Sequence, residues 1–201
     1  YKQNGGLMIV GSVPEKKLGE TRAGLMPSNP GVSELTQKAT KVLIGAGTGL
    51  GSGFSDTQYC SAGARIVPPE QVWKKADAIF KVKEPQPEEF PHFRNGLIVG
   101  SFQHGGSPDS EELIRSYVET GVTAIDYGSI RLPDGSIPVL AAMSKITGQI
   151  LVSEGAQLLK DRKGMDLGPG AKVLVLGLGA LGSAAGEDIL QTGATLYVVE
   201  N

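Results

Sequence analysis

The chain has 201 residues, 40% of them hydrophobic and 20% charged, with a formal net charge of −2. Those values suit a folded chain with a sizeable core, and the charge gives no reason to expect a nucleic acid or a membrane surface as partner. No run approaches the roughly 18 apolar residues of a membrane span, and the single cysteine excludes an internal disulfide and suits a reducing compartment, the cytoplasm or a mitochondrial matrix.

Leu7–Ser12 is an apolar run that predicts a first strand, closed by Pro14. The charged loop Glu15–Arg22 follows, then a short amphipathic helix over Val32–Ala39 and a second strand over Lys41–Ile44. Gly45–Gly53 (GAGTGLGSG) is a glycine-rich loop between a strand and a helix. It lacks the Lys-Ser/Thr ending of a phosphate loop, so it reads as a tight turn lining an interdomain cleft, with direct ligand contact as the alternative. Ser55 is placed to cap a helix over Asp56–Ala62, on which Cys60 reads as a packing residue.

Short strands are predicted at Arg65–Val67, Ala78–Lys83 and Gly96–Phe102, with a helix from Pro69 through Lys75. Pro108–Thr120 predicts a helix with Gly121 as its stop, and Val122–Tyr127 a sixth strand. Leu132–Ser136 is a turn, and Ala141–Leu159 a long helix that suits an interdomain connector. Lys160–Gly170 reads as a polar linker. Strands alternate with helices, which predicts an α/β fold with mostly parallel sheet. Residues 1–140 form one α/β domain and 141–201 begin a second.

That second domain opens with Lys172–Asn201, read as strand, glycine turn, helix, strand. Val173–Leu176 is an unbroken apolar run, the pattern of a strand buried on both faces. Gly177-Leu178-Gly179-Ala180-Leu181-Gly182 follows at once, and Glu200 lies 18 residues beyond Gly182. This is the G-x-G-x-x-G dinucleotide fingerprint in its required context. Gly177 permits the turn, Gly179 lets a pyrophosphate approach the backbone, and Gly182 lets helix and strand pack closely. The helix N-terminus, at Ala180 and Leu181, offers N–H groups to phosphate. Glu200 suits the ribose 2′-OH, which favours NAD over NADP. Two strands and one helix cannot cover both faces of a sheet. The expectation is an incomplete chain, an apolar face covered by a partner, or a degenerate protein.

Upstream, Lys81 and Lys83 share one side of a strand at its C-terminal end, where ligands gather in open α/β sheets; a solvated strand end is the competing reading. His104, in SFQHGG, follows another strand end and is the better catalytic candidate of the two histidines. His92 reads as a surface residue. Arg22 is either an ordinary surface arginine or a bidentate carboxylate clamp. The pairs Glu88-Glu89 and Glu111-Glu112 read as solvated. No metal-binding spacing of Cys and His is present.

The stretches GSVPEKKLGETRAGLMP, GAGTGLGSGFSD, KVKEP, PDGSIPVLAAMSKITGQ and GLGALG through VVEN together resemble alanine dehydrogenase and the related N-terminal part of the NAD(P) transhydrogenase alpha subunit. KVKEP and the PDGSIPVL–AMS stretch favour the alanine dehydrogenase branch. The resemblance implies a substrate domain and a Rossmann NAD domain with the active site between them. It implies oxidation of L-alanine to pyruvate and ammonium with NAD as cofactor, by a homo-oligomer or a subunit of a larger assembly. By position, Arg22 holds the substrate carboxylate, Lys83 binds and polarises the carbonyl or imino group, His104 is the acid/base partner, and Ser144 lies near the cofactor. The alternatives are a transhydrogenase component and a non-catalytic subunit derived from the family.

Overall fold

The computed structural model describes residues 7–38, 40–107 and 110–200, and these fall into two compact units that divide after Ser129. The first is built on a six-stranded, wholly parallel sheet. Its strands are β1 (Ile9–Ser12), β2 (Lys41–Gly45), β3 (Arg65–Val67), β4 (Ala78–Lys83), β5 (Ile98–Phe102) and β6 (Thr123–Asp126). Their order is β3-β2-β1-β4-β5-β6, a Rossmann-like, doubly wound sheet. The strand order reverses between β1 and β4, so the crevice outside their C-terminal ends is where such a sheet takes ligands.

Four helices connect these strands: α1 (Val32–Gln37), α2 (Asp56–Ser61), α3 (Pro69–Lys75) and α4 (Glu111–Thr120). Three of them begin or end on the chemistry their sequence offers. Ser55 accepts from Gln58 N–H, and the Gln58 side chain accepts from Ser55 N–H, a complete capping box for α2. Pro69 starts α3, and Gly121, at φ 74°, stops α4. The predicted helix extensions at Ala39, Pro108 and Asp109 lie outside the described residues. One core gathers Val72, Trp73, Ile79, Leu97, Val99, Leu113 and Tyr117 on the α3/α4 face; a second gathers Val32, Val42, Ile44 and Tyr59.

Three local readings are corrected. Cys60 is exposed, because the turn of α2 that packs inward carries Tyr59 instead. Glu89 is buried, in a 3-10 helix at Pro87–His92 that seats it over Lys81. His92, in the same segment, is not simply a surface residue: it stacks on Trp73 with ring centroids 6.0 Å apart.

The second unit holds α5 (Pro138–Lys163), β7 (Lys172–Leu176), α6 (Ala180–Gln191) and β8 (Thr195–Val199). Helix α5 runs four residues into the predicted linker and stops at Gly164, φ 64°. Strands β7 and β8 pair in parallel. Val173 and Val175 pack with Ile189 and Leu196, while Leu174, Leu176, Tyr197 and Val199 are exposed, Leu176 at 75%. The apolar run of β7 is therefore covered on one face only, since α6 lies over a single side of this two-stranded ribbon. Among the described residues no helix is long and apolar enough to cross a membrane.

Candidate active site

Three charged or titratable candidates of the first unit lie at or after the C-terminal ends of strands in the six-stranded sheet. Arg22 lies in the segment after β1, Lys83 ends β4, and His104 comes two residues after β5. Because the strands are parallel, these three positions share one edge.

Strand β4 carries a bulge at this point. Its ladder with β5 pairs Phe80 with Gly100 and Lys83 with Phe102, so one extra residue sits on β4 between them. The bulge breaks the period of two that would put Lys81 and Lys83 in equivalent places. Lys81 is fully buried, with Nζ 3.0 Å from Glu89 Oε1 and 3.3 Å from Glu15 Oε2. Lys83 instead opens on a cavity of about 510 Å³ that Glu84, Gln103, His104, Ser107 and Ser110 also line.

Glu15 explains how the bulge persists. One of its oxygens accepts from Val82 N–H at 2.6 Å and the other from Lys83 N–H at 3.3 Å. These are donors that an irregular ladder leaves to find partners elsewhere. The same carboxylate pairs with Lys81, so a single buried acid fixes the backbone on which Lys83 is carried. Burial pushes the Glu89 carboxyl above its ordinary range, against the pull of Lys81.

His104 sits at φ 49°, a left-handed conformation rare outside glycine. Strain of that kind is held in place by its surroundings. Its Nδ1 is 3.2 Å from Glu84 Oε2, and its side chain is 52% exposed. The other Glu84 oxygen takes the Lys17 ammonium. A carboxylate only accepts, so Nδ1 carries a proton, and in the neutral ring this leaves Nε2 as the acceptor.

Arg22 does not line the cavity. Its Nε donates to Glu20 Oε1 at 2.8 Å and its Nη2 to Glu20 Oε2 at 2.6 Å, a bidentate fork. The Arg22 guanidinium holds the Glu20 carboxyl at about 2 despite partial burial, and the charge of Lys83 adds to the same effect. Glu20 therefore links Arg22 electrostatically to Lys83, and the cavity links Lys83 to His104.

In the second unit the glycine fingerprint is folded as its spacing predicts. Gly177 takes φ 87° and donates its N–H to Val199 O at 2.7 Å, which ties the turn to the end of β8 beside Glu200. A Cβ on Gly182 would stand 2.0 Å from Gly177 O, so only glycine fits there. A Cβ on Gly179 would meet nothing within 4 Å, leaving the backbone open in front of α6. Ala180 and Leu181 open that helix. Ser144 is half-buried on α5, one turn before Gly148, whose missing Cβ admits Leu181 O. Glu200 is exposed immediately after β8. Among the described residues no cluster of His, Cys, Asp and Glu is arranged to hold a metal ion.

The sequence reading missed Glu15, Glu20 and Glu84. All three stand in runs of mixed charge; the partners of Glu15 lie on the neighbouring strand, that of Glu20 two residues away, and those of Glu84 in the loops after β1 and β5. The only signal available was charge of opposite sign at the ends of β1 and β4.

Comparison with known proteins agrees with this architecture. A family model described as alanine dehydrogenase/PNT, N-terminal domain, matches residues 11–147. Alanine dehydrogenase of Bacillus subtilis (strain 168) is 38% identical over 202 residues, spanning 96% of this chain and 52% of that protein. The solved structure of an L-alanine dehydrogenase superposes with a TM-score of 0.86 at 33% identity, covering 95% of this chain and 54% of that one. A transhydrogenase from Sinorhizobium meliloti superposes at 0.81 with 28% identity, covering 96% and 56%. The chain thus spans about half the length of the relatives it matches. With a six-stranded parallel sheet of this order and a family match over most of its length, the chain belongs to the alanine dehydrogenase/PNT family.

Proposed function

We propose that the first unit binds a small 2-oxo or 2-amino acid, and that the protein of which this chain forms part interconverts L-alanine and pyruvate with NAD. The observation that supports the reading is that Lys83 and His104 line one cavity at the C-terminal edge of the sheet, with Arg22 held in the segment after β1 by Glu20, whose carboxylate also feels the charge of Lys83. In this reading residues 1–140 are the substrate domain and 141–201 begin the NAD domain.

The overall reaction is L-alanine, NAD and water giving pyruvate, ammonium, NADH and a proton. Bound NAD supplies the acceptor for the hydride that leaves the substrate Cα. Arg22 holds the substrate carboxylate through its planar fork. Lys83, a compact point charge, hydrogen-bonds the carbonyl or imino group and stabilises negative charge on oxygen. His104 Nε2 takes the proton from the water that adds to the imine carbon, and the Glu84 carboxylate steadies the imidazolium that forms. Gly177, Gly179 and Gly182, with Ala180 and Leu181 at the start of α6, fit a dinucleotide pyrophosphate, because the open face of Gly179 is where a side chain would obstruct it. Glu200 would accept from the ribose hydroxyl, and Ser144 would face the same ligand.

The test is calorimetric titration with pyruvate, of the wild-type chain and of Arg22→Ala. Binding by the wild type that Arg22→Ala weakens at least about tenfold supports the reading. No heat of binding, or equal binding by the two, overturns it.

A further inference from the structure

The glycine-rich loop Gly45–Gly53 is left without a role by the site described above, yet it touches the segment that carries Arg22. Ser52 Oγ accepts from Ala23 N–H at 3.1 Å and donates to Thr21 O at 3.2 Å. One hydroxyl thus grips the backbone on both sides of Arg22. At Gly51 a Cβ would stand 2.4 Å from Thr21 O and 3.0 Å from Thr21 Cα, so loop and segment are in direct backbone contact. On the other side Gly24 lies against β4, where a Cβ would stand 2.4 Å from Phe80 O and 2.8 Å from Lys81 Cα. The Arg22 segment is therefore held between the loop and the strand that ends in Lys83.

Glu20 completes the hold. It binds the side edge of the guanidinium, Nε and one Nη2 hydrogen, and Oε1 also accepts the Arg22 backbone N–H at 2.9 Å. An arginine offers five N–H donors in a fixed plane. With its side edge taken, the end-on pair at Nη1 and Nη2 remains for an incoming carboxylate, and Arg22 is partly exposed to receive one. A side chain this long loses rotamer freedom on binding unless that freedom is already removed.

We infer that Glu20 and Ser52 are positioning residues that preorganise Arg22 for end-on capture of a substrate carboxylate, and that the glycine-rich loop serves as their buttress rather than as a nucleotide site. The inference rests on the proposed function for the identity of the ligand but not for the geometry of the arginine.

The experiment therefore has two readouts on the 201-residue chain, with wild type, Glu20→Gln, Glu20→Ala and Ser52→Ala compared. The first needs no ligand: solvent exchange of the Arg22 Nε–H, followed by nitrogen-edited NMR. The expected result is slow exchange in the wild type, at least about tenfold faster in both Glu20 variants, and an intermediate rate in Ser52→Ala. Unchanged exchange in Glu20→Ala overturns the positioning role. The second is the pyruvate Kd, expected to rise about tenfold in Glu20→Gln and by a smaller factor in Ser52→Ala. Tighter binding by Glu20→Gln contradicts the inference, because Glu20 would then be competing with the substrate for the fork. If the wild type binds no pyruvate, the proposed function fails, while the exchange rates still decide whether Glu20 and Ser52 order Arg22.

Discussion

His104 Nδ1 lies 3.2 Å from a carboxylate oxygen of Glu84, and the other oxygen of that carboxylate is taken by Lys17. Burial pushes the Glu84 carboxyl up, but its bonds to Lys17 and His104 outweigh burial and hold it below the usual carboxylate range. It is therefore ionised at neutral pH and fixes which imidazole nitrogen is protonated. Glu84→Gln can present its amide N–H instead, which favours the opposite tautomer. Nitrogen shifts of the His104 ring should report protonated Nδ1 in the wild type and a mixture or reversal in the variant. If the protein of which this chain forms part oxidises alanine, the same change should lower its kcat by about tenfold or more, with little effect on substrate binding. An unchanged tautomer would remove Glu84 from the site.

Glu20 predicts a specific pH dependence. Its carboxyl sits at about 2 in the folded chain against an ordinary 4.5. Between those values the unfolded chain binds a proton that the folded chain does not. The contribution of Glu20 to stability is therefore complete above about 4.5 and is lost as the pH falls toward 2. Glu20→Gln should flatten this limb of the stability profile in urea unfolding. Because Arg22 is substantially exposed, solvent screening keeps the effect modest. An acid limb identical in the two proteins would contradict the ion pair.

Among the described residues, Lys81 is the only cation paired with the two buried carboxylates of Glu15 and Glu89. Lys81→Met leaves both acids without it and should cost about 3–5 kcal/mol of unfolding free energy. Replacing the acids as well, in Lys81→Met/Glu15→Gln/Glu89→Gln, should recover part of that loss. Denaturant midpoints measure both. A Lys81→Met protein as stable as wild type would mean that the triad is not buried as described.

The two fingerprint glycines should separate stability from binding. Gly182→Ala forces a methyl group to within 2.0 Å of Gly177 O and should destabilise the second unit by about 1–3 kcal/mol or more. Gly179→Ala meets open space at an extended backbone, so thermal unfolding should move little. If the turn takes a dinucleotide, Gly179→Ala should still weaken NADH binding, which fluorescence titration would register. Equal stability losses at the two positions would contradict the packing account.

Much of this fold is readable in the sequence. Short apolar runs separated by Gly and Pro located the eight strands among the described residues, the central ones because a parallel strand covered on both faces needs such a run. Gly182 was legible because close packing of a helix on its own turn admits no other residue. The bulge in β4 was not. Alternation placed Lys81 and Lys83 together, whereas the extra residue buries one and opens the other to a cavity. Glu15 was equally hidden, since its partners at Val82 and Lys83 are 67 and 68 residues away. The burial of Glu89 and the left-handed backbone of His104 likewise depend on tertiary neighbours. Candidate residues at strand ends were thus visible, while the acids that orient them became visible only in three dimensions.

If Arg22, Lys83 and His104 jointly hold one 2-oxo acid, all three must respond to the same ligand. The most direct measurement is a pyruvate titration of the isotopically labelled chain, followed at the side-chain nitrogens of those three residues. All three should shift together with one saturation curve, and Arg22→Lys should weaken that curve about tenfold or more because an ammonium cannot reproduce the fork. Shifts confined to one of the three, or saturation at positions away from this sheet edge, would contradict joint binding.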